Sequence, residues 1–249
     1  MSSTLISIVV PTFNEEERIA STLGTIARYF EAEGFRAEIV VADDGSTDGT
    51  HAQVKQADTL AVPVRWLASP RNRGKGHAVR RGMLAATGEY VLFTDADLST
   101  PIDEFGRFLP LLRDGHPMVI GSRRLATARV LTRQPLHRQW MGRVFSWLAR
   151  RLLHPDISDF TCGFKAFRRA AVADLFGPMT LHRWSFDAEL LHIARRRGLA
   201  VRELPVRWTN RENTRVRLLR DVWTSGGGLV LVVWRGWRGA YDRQPSSST

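Results

Sequence analysis

Short apolar runs of strand length alternate with helical patterns through the first half of this 249-residue chain. The apolar runs are residues 5–10, 38–42, 64–67, 90–94 and 118–120. The clearest helical patterns between them are residues 16–33, 76–86 and 102–113. Strands that alternate with helices predict a parallel sheet, in which ligands bind beyond the carboxyl ends of the strands. We therefore expect an α/β fold with its functional site along one edge of the sheet.

Two carboxylates, Asp95 and Asp97, stand two residues apart at the end of the apolar run 90–94. Where a strand continues, residues i and i+2 point to the same face, so both side chains could converge on one cation. Hard oxygen ligands suit Mg²⁺ or Mn²⁺, and such an ion could clamp a substrate diphosphate. An Asp-x-Asp triplet also arises by chance, so this one predicts a metal site only together with its context.

Polar residues follow two other apolar runs, and each has an ordinary explanation when it is taken alone. Glu15 precedes a helical pattern, where the helix dipole favours an acid. Asp44 precedes Gly45, a pair that is typical of plain turns. A carboxylate near the ends of three predicted strands nevertheless indicates one acidic edge of the sheet, because parallel strands end side by side.

Three segments in a fixed order resemble the donor-site motifs of the inverting family 2 glycosyltransferases, which have the GT-A fold. They are residues 8–15 (IVVPTFNE), 41–50 (VADDGSTDGT) and 95–97 (DAD). Each segment is a modest signal alone, and the ordered set is a strong one. The resemblance implies a GT-A, Rossmann-like, mostly parallel sheet flanked by helices.

A narrower resemblance extends over nearly the whole chain. Four further segments are similar to the dolichyl-phosphate β-glucosyltransferase branch and its prokaryotic polyprenyl-phosphate relatives: residues 72–83 (NRGKGHAVRRGM), 121–123 (GSR), 159–165 (DFTCGFK) and 183–191 (RWSFDAELL). The branch usually has Asp-Thr-Gln before the Cys-Gly-Phe-Lys sequence, whereas this chain has Asp159, Phe160 and Thr161 there. That departure concerns the part of the family that meets the acceptor.

The resemblance implies how a nucleotide sugar would be held. The residues that match the family's nucleoside-binding positions are Pro11, Phe13, Glu15, Asp43 and Asp44. Asp97 would bind the metal directly, and Asp95 would bind the metal directly, through water, or the ribose. Lys75 lies in a Gly-Lys-Gly turn that matches no Walker pattern, so a donor-phosphate role and a structural role both stay open.

Acceptor chemistry depends on Arg123, Arg129 and Asp187. By resemblance, Arg123 and the basic segment after it, including Arg129, would meet the acceptor phosphate, to which a guanidinium makes charge-assisted hydrogen bonds. Asp187 and Glu189 begin a helical pattern, where acids are favoured in any case. In family members that attack with a hydroxyl, the acid at this motif is the general base. A phosphate acceptor is already largely dianionic at neutral pH, so Asp187 would then position it or order the loop.

The activity implied is transfer of a hexose from a nucleotide sugar to a dolichyl or polyprenyl phosphate, with Mg²⁺ or Mn²⁺ as cofactor. UDP-glucose is the first candidate donor and GDP-mannose the second. One alternative is a glycosyltransferase that uses a hydroxyl acceptor in polysaccharide or glycolipid synthesis. Another is a module that binds a nucleotide sugar or a nucleic acid without turnover.

Arginine dominates the charge of the chain, whose formal net charge is +11. One group of arginines is Arg123, Arg124, Arg129, Arg133, Arg138, Arg143, Arg150 and Arg151. Apolar residues recur at helical spacing in the same region, at Leu136, Trp140, Val144, Trp147, Leu148 and Leu152. The pattern predicts a basic amphipathic helix over residues 135–153. It fits either docking on an anionic membrane surface, where each nearby arginine contributes about 1 kcal/mol, or an ordinary core-facing helix with a solvated basic face.

Arginine and tryptophan also interleave in residues 213–243, a combination that is typical of interfacial anchors. Residues 226–228 (GGG) are expected to divide this segment into two short elements. Basic patches with aromatic residues also bind single-stranded nucleic acid. No recognised nucleic-acid motif accompanies the charge, so a nucleic-acid partner is not expected.

The expected organisation is one catalytic domain over residues 1–212, with the basic amphipathic segment at about 123–153 inside it. An Arg/Trp-rich interfacial segment at 213–243 and a disordered tail at 244–249 would follow. The lone Cys162 fits a reducing compartment, and the N-terminus lacks a signal-peptide pattern. The late apolar run 229–234 is shorter than the ~20 residues that span a bilayer. These features predict a cytoplasmic protein that is peripheral on the cytoplasmic face of the membrane.

Overall fold

The computed structural model describes residues 2–132, 136–183, 185–210 and 218–242. Its strands are β1 (Ser2–Thr12), β2 (Phe35–Asp43), β3 (Val64–Leu67), β4 (Tyr90–Thr94), β5 (Met118–Ser122), β6 (Arg129–Thr132), β7 (Phe164–Arg168), β8 (Val201–Pro205) and β9 (Arg207–Thr209). Its α-helices are α1 (Ile19–Ala32), α2 (Thr50–Gln56), α3 (Lys75–Ala85), α4 (Phe105–Arg113), α5 (Leu136–Leu152), α6 (Arg169–Phe176), α7 (Phe186–Arg196) and α8 (Leu218–Trp237).

Seven strands form the central sheet in the order β3-β2-β1-β4-β7-β5-β8. All the neighbours pair in parallel except β7, which is antiparallel to both β4 and β5. The predicted mostly parallel α/β sheet is therefore confirmed. Strands β6 and β9 form a separate two-stranded sheet, which the sequence patterns did not predict.

Apolar side chains cover both faces of the sheet, as an interior parallel sheet requires. Val9 of β1 joins a buried cluster with residues of α3 and α7. Its neighbours Ile8 and Val10 point the other way and join a cluster with residues of α1 and α4. Each such fully buried side chain contributes about 1.5–3 kcal/mol, so packing on both faces holds the strand ends in place.

Strand β1 extends through Pro11 to Thr12, beyond the predicted end at residue 10. Pro11 pairs with Ala42 of β2, but β4 pairs with β1 only as far as Val9. One side of β1 is thus free of ladder bonds at Pro11, which has no N–H to donate.

Helix α8 runs without interruption through residues 226–228, so the expected division at these glycines is wrong. A Cβ at Gly228 would clash with the side chain of Ser185, and one at Gly236 would clash with His192. Gly228 and Gly236 therefore serve close packing of α8 against the start and middle of α7. Tertiary contact here outweighs the low helix propensity of glycine, about 1 kcal/mol per residue.

Helix α5 lies within the predicted span 135–153, but its apolar stripe does not face the core. Its buried side is formed by Ser146, Ala149 and Leu153, which follows the helix. The stripe side chains that the structure describes are exposed: Trp140, Val144, Trp147, Leu148 and Leu152. The alternative in which this apolar stripe faces the core is therefore wrong, and α5 packs on the core through Ala149 and Phe145 instead.

Within the described ranges, no helix combines the length and hydropathy that a membrane crossing requires. The predicted boundary at residues 212–213 and the predicted tail at 244–249 lie outside the described residues, as do Arg133 and the side chain of Arg138.

Candidate active site at the carboxyl edge of the sheet

The segments singled out in the sequence meet at one edge of the sheet. β1, β2, β4 and β5 run in the same direction and end there, whereas the antiparallel β7 begins there. The loops after β1, β2, β4 and β5 and the loop before β7 therefore converge, as the strand pattern predicted for the first three.

Hydrogen bonds between Asn14 and the loop after β2 lock the first two segments together. The Asn14 backbone N–H donates to Ser46 Oγ at 2.8 Å, and Thr47 N–H donates to Asn14 Oδ1 at 2.8 Å. Asn14 has φ of 56°, a left-handed conformation that asparagine tolerates better than most residues. These contacts fix the entrance to α1 against the Asp43 loop.

Asp43 and Asp44 are both almost fully buried and organise two loops. Asp43 Oδ2 accepts hydrogen bonds from the backbone N–H groups of Gly45 and Ser46, at 2.9 and 3.0 Å. Asp44 accepts from Arg73 N–H and, at 2.6 Å, from Gly74 N–H. Burial, with the adjacent Asp43 charge, raises the pKa of Asp44. Asp44 thereby ties the loop before α3 to the end of β2, a structural task beside the nucleoside role that the resemblance implies.

The other predicted nucleoside-binding residues differ in exposure. Pro11 is buried within β1, whereas Phe13 is 37% exposed just beyond its end. The Glu15 carboxylate pairs with Arg18 Nε at 2.9 Å. Phe13 is thus the most exposed of the predicted nucleoside-binding residues.

Asp95 and Asp97 come together through a turn, because β4 ends at Thr94. Leu98 N–H donates to the Asp95 carbonyl at 3.1 Å, and Leu98 takes a left-handed φ of 46°. Ser99 N–H donates to Asp97 Oδ1 at 2.8 Å. Burial, together with the nearby Asp95 charge, raises the pKa of Asp97. The charges of the two carboxylates therefore influence each other, but a turn after Thr94, and not strand alternation, sets their relative positions.

Gly163 packs its backbone directly against the Asp95 carboxylate. Thr94 of β4 is paired with Phe164 of β7, so the residues just beyond this pair face each other. A Cβ on Gly163 would overlap the Asp95 carboxylate. The Cys-Gly-Phe-Lys segment therefore needs glycine at this position to bring β7 beside the candidate metal site.

Lys75, the first residue of α3, lies among the acidic side chains of the site. Its Nζ pairs with Asp95 Oδ1 at 2.6 Å and stands 5.4 Å from the centre of the Phe93 ring. Burial alone would lower the pKa of Lys75, but the carboxylates of Asp95, Asp187 and Asp97 outweigh burial and raise it. The structure thus gives Lys75 a position beside the predicted metal ligands and keeps it charged.

Asp187, in the first turn of α7, forms a buried ion pair with Lys165. The Asp187 Oδ1 to Lys165 Nζ distance is 2.6 Å, and Lys165 Nζ also donates to the carbonyls of Phe160 and Cys162. Burial raises the pKa of Asp187, which Lys165 and Lys75 partly offset. Lys165 therefore connects Asp187 to the loop before β7 with all three of its donors.

Glu189, which begins the same predicted helix as Asp187, has a structural role and different partners. It is fully buried and accepts hydrogen bonds from Thr180 N–H, from Leu181 N–H at 2.7 Å and from Tyr241 Oη at 2.8 Å. Burial and the Glu189 charge raise the pKa of Tyr241. Glu189 therefore anchors the loop before α7 and the segment after α8.

Arg123 forms a two-point ion pair with Asp159, which is fully buried. Arg123 Nε donates to Asp159 Oδ2 at 2.7 Å, Nη2 donates to Oδ1 at 2.8 Å, and Nη2 also donates to Thr161 Oγ1. Although burial opposes charge on both groups, the pair lowers the pKa of Asp159 and raises that of Arg123. Arg123 is therefore oriented by the loop before β7, and its Nη1 has no acceptor among the described residues.

Arg129, the other predicted acceptor residue, lies in β6 and is exposed. Its backbone N–H donates to the Val206 carbonyl at 3.2 Å, beside the two-stranded sheet. The structure does not join Arg129 to the cluster of Lys75, Asp95 and Asp187.

The donor set of Asp95 and Asp97 fits a divalent cation that shares its shell with a substrate. Mg²⁺ usually takes one or two protein carboxylates and completes its shell with water and phosphate oxygens. Within the described part of the chain, no group of three or more His, Cys, Asp or Glu side chains forms an all-protein site. Burial and, after it, the Asp95 charge raise the pKa of Asp97, and a cation beside the two carboxylates would favour their ionised forms.

Sequence reasoning gave no role to Asp159, Gly163 and Lys165, which hold the site together. All three lie in the 159–165 segment that carried the resemblance. Their partners are 36, 68 and 22 residues away in sequence, at Arg123, Asp95 and Asp187. The available signal was a single charged residue, Lys165, between the apolar residues Phe164 and Ala166, since a lysine that is buried needs a partner.

Exposed large apolar side chains are concentrated in α5, α8 and β6, and we call this set the apolar face. Within the described ranges it consists of Val130, Leu131, Trp140, Val144, Trp147, Leu148, Leu152, Val230, Leu231, Trp234 and Trp237. α5 and α8 pack against each other, so the two tryptophan-bearing helices lie side by side. Exposed apolar surfaces of this kind mark interaction sites.

Comparison with known proteins agrees with this geometry. The Glycosyl transferase family 2 model matches residues 7–176. A dolichyl-phosphate beta-glucosyltransferase of Trichomonas vaginalis is 36% identical over 223 residues, covering 85% of this chain and 66% of the relative, so the chain spans about two thirds of that protein. The Drosophila melanogaster dolichyl-phosphate beta-glucosyltransferase is 32% identical over 242 residues, covering 92% of this chain and 74% of the relative.

Solved structures with the same fold include glucosyl-3-phosphoglycerate synthase from Mycobacterium tuberculosis in complex with UDP. It superposes with a TM-score of 0.68 at 24% identity and covers 93% of this chain and 81% of its own. The same enzyme, in complex with Mn²⁺, UDP and phosphoglyceric acid, gives a TM-score of 0.66. The fold and the match over residues 7–176 together show that the chain belongs to glycosyl transferase family 2.

Proposed function

We propose that the protein transfers glucose from a nucleotide sugar to a dolichyl or polyprenyl phosphate, with inversion at the anomeric carbon. UDP-glucose is the first candidate donor and GDP-mannose the second. The relatives named for transfer of glucose to dolichyl phosphate support the acceptor and the sugar. The observation that carries the proposal is the meeting of Lys75, Asp95, Asp97 and Asp187 at the carboxyl edge of the sheet.

The donor would lie across the loops after β1, β2 and β4. Phe13 is exposed at the end of β1 and can contact a base, while Asp43 and Asp44 shape the loop that faces it. A divalent cation held by Asp95 and Asp97 would neutralise charge on the leaving diphosphate. Lys75 is a second positive charge at the same place, and its raised pKa keeps it protonated at neutral pH.

The acceptor would approach from the loop before β7. Arg123 is held rigidly by Asp159, which leaves its Nη1 to meet a phosphate oxygen. A phosphate monoester has a second pKa near 6, so it is largely dianionic at neutral pH. Its attack on the sugar then requires cations that stabilise its negative charge more than it requires a base that removes a proton. Asp187, bound through Oδ1 to Lys165, then orders the loop that receives the acceptor. We therefore assign Asp187 to positioning and Arg123 to the acceptor phosphate.

The membrane part of the proposal rests on the apolar face. Trp140 is 67% exposed and Trp237 is 89% exposed, and the arginines Arg143, Arg150 and Arg151 on α5 are exposed as well. Tryptophan and arginine together suit the interface of an anionic bilayer, where a lipid-linked acceptor presents its phosphate. The protein would thus act as a peripheral protein on the cytoplasmic face.

The proposal is tested by sugar transfer in neutral detergent from a panel of nucleotide sugars, with products identified by mass spectrometry. The acceptors are a short polyprenyl phosphate, the matching polyprenol and phosphoglyceric acid. We expect a hexosyl polyprenyl phosphate from UDP-glucose. Transfer to the polyprenol or to phosphoglyceric acid, with none to the polyprenyl phosphate, would show that the acceptor is a hydroxyl. Neither transfer nor donor hydrolysis with Mg²⁺ or Mn²⁺ would contradict the enzymatic proposal as a whole.

A further inference from the structure

A basic cavity opens beside α5, apart from the residues of the candidate active site. Its volume is about 580 Å³, and its charged lining consists of Arg124, Arg143, Arg150 and Arg151. Trp147 and Ser158 also line the cavity. Four guanidinium groups around one cavity repel one another, so an anion bound among them would be stabilised by all four charges.

The carboxylates nearest the cavity are already engaged with other groups. Asp159 holds Arg123, and Glu203 accepts hydrogen bonds from the Ser158 N–H, the Ser158 hydroxyl and the Asp159 N–H. Among the described residues, none offers a carboxylate within 4.0 Å of Arg124, Arg143, Arg150 or Arg151. The positive charge of the cavity is thus not neutralised by the described part of the protein.

Two of the four arginines are tied to the protein only through backbone carbonyls. Arg124 Nη2 donates to the Gly142 carbonyl at 2.6 Å, and Arg150 Nε donates to the Pro155 carbonyl at 3.3 Å. Burial, with the positive charges of Arg123 and Arg143, lowers the pKa of Arg124. The guanidinium groups of Arg124 and Arg150 are therefore placed by the fold, while their charge stays available to a ligand.

The cavity adjoins the active site but uses different side chains. Arg123 and Asp159 form the active-site pair, whereas their neighbours Arg124 and Ser158 line the cavity. None of the lining residues is a predicted donor or metal residue, although the four arginines belong to the basic segment that the resemblance placed near the acceptor phosphate. A ligand of the cavity therefore need not compete with the nucleotide sugar.

The apolar face identifies the class of ligand. Trp147 belongs to both the cavity wall and the apolar face, and Leu148 and Leu152 are exposed on the same helix. A ligand with an anionic head and an apolar tail would place the head among the arginines and the tail along these side chains. A free phosphate ester would contact only the arginines and would leave the apolar side chains without a partner.

We propose that this cavity binds the phosphate of an anionic phospholipid headgroup, separately from the acceptor phosphate. The proposal rests on the membrane part of the proposed function. It adds that docking uses one saturable headgroup site and not only diffuse attraction between a basic surface and a charged bilayer. Phosphate is the group expected to bind, because several guanidinium groups around a cavity can donate hydrogen bonds to its several acceptor oxygens.

Binding of the full chain to phosphatidylcholine vesicles, with and without phosphatidylglycerol, tests the site through two matched variants. Arg151→Gln removes a cavity arginine, and Arg238→Gln removes an exposed arginine near the apolar face, where it stacks on Trp234. Diffuse attraction predicts similar losses, about fivefold for each charge. A headgroup site predicts a loss of about tenfold to a hundredfold for Arg151→Gln alone, because charged hydrogen bonds are lost as well. Arg143→Gln, on the same cavity, should follow Arg151→Gln.

Titration with soluble ligands distinguishes a lipid headgroup from a free phosphate as the ligand of the cavity. Calorimetric titration with monomeric dihexanoyl phosphatidylglycerol should give one site per chain, which Arg151→Gln weakens. Equally tight binding of inorganic phosphate or glycerol phosphate would overturn the assignment to a lipid. Equal losses for Arg151→Gln and Arg238→Gln on vesicles would overturn the headgroup site while leaving membrane docking intact.

Activity distinguishes this site from the acceptor site. In neutral detergent, Arg151→Gln should leave the KM for a short polyprenyl phosphate unchanged within about twofold, because the cavity is separate from the acceptor phosphate. A tenfold rise in that KM would assign the cavity to the acceptor and overturn the proposal. Failure of the wild-type chain to bind anionic vesicles at all would contradict the membrane part of the proposed function instead.

Discussion

Removal of one exposed tryptophan from the apolar face should weaken membrane binding by a predictable amount. Trp140 on α5 is 67% exposed, and a tryptophan side chain carries roughly 200 Å² of accessible surface, so about 130 Å² is available for burial. At about 25 cal/mol per Å², complete burial in a bilayer would contribute about 3 kcal/mol. Interfacial docking that buries half of this area would contribute about 1.5 kcal/mol, or roughly tenfold in the partition coefficient.

The assay is sedimentation of Trp140→Ala with vesicles that contain phosphatidylglycerol, at low and at physiological salt. Trp66→Ala is the matched control, because Trp66 lies on the edge strand β3 and stacks on His51, outside the apolar face. We expect Trp140→Ala to bind about tenfold more weakly than the wild-type chain at both salt concentrations, since apolar burial is little screened.

Circular dichroism should show both variants folded, which makes the comparison valid. If Trp140→Ala and Trp66→Ala bind vesicles equally well, the apolar face does not enter the bilayer and the reasoning from exposure is refuted. A loss that disappears entirely at physiological salt would show that charge, and not apolar burial, holds the protein on the membrane.

Four further predictions follow from the site. Asp97→Asn should abolish transfer and weaken Mn²⁺ binding, measured by electron paramagnetic resonance, without a change in unfolding temperature; full activity in excess chelator would contradict the metal assignment. Arg123→Ala should lower kcat/KM by about tenfold to a hundredfold, and more than Asp187→Asn does; loss of an acidic limb of the pH profile in Asp187→Asn would instead make Asp187 a general base. Asp159→Asn should lower the free energy of unfolding by about 3 kcal/mol at neutral pH, because it breaks a buried ion pair. The Asp159 contribution should be complete above about pH 4 and decline progressively as pH falls below that value, because the pKa of Asp159 is lowered on folding. His77 lies in α3, two residues after Lys75, and its burial lowers its pKa to about 4. Its contribution to stability should therefore be complete above pH 6.5 and lost between pH 6.5 and 4, which denaturant titration of His77→Gln would check.

The parallel part of the sheet was predictable because its strands are buried on both faces. Residues 39–42 and 90–93 read as continuous apolar runs, and both lie in observed strands, β2 and β4. The carboxylates at their ends were predictable for the same reason, since a polar residue after such a run must lie at the sheet edge. Local pattern was therefore sufficient for the position of Asp43, Asp44 and Asp95.

The antiparallel strand β7 was not predictable from local pattern. Its sequence, FKAFR, contains two basic residues, and Lys165 is fully buried only because Asp187 and two carbonyls receive its charge. A pairing over 22 residues leaves no trace in hydrophobic periodicity. The same holds for Arg123, whose orientation depends on Asp159.

The continuous course of α8 also depended on tertiary contact. Three consecutive glycines normally interrupt a helix, because each costs about 1 kcal/mol relative to alanine. Close approach of α8 to Ser185 and His192, at Gly228 and Gly236, reverses that expectation. The exposed stripe of α5 could not be predicted either. Helical periodicity identifies an apolar side of a helix, but it does not say whether the protein core covers that side.

Inverting transfer to a lipid phosphate is the central claim, and the anomeric linkage of the product tests it most directly. The wild-type chain should be incubated with UDP-glucose, in which the glucose is α-linked, Mg²⁺ or Mn²⁺ and a short polyprenyl phosphate. The purified product should then be examined by proton and phosphorus nuclear magnetic resonance. We predict one glucose joined through a phosphodiester to the polyprenyl chain, with a β linkage. An α-linked product, or glucose attached to a hydroxyl instead of the phosphate, would contradict the account.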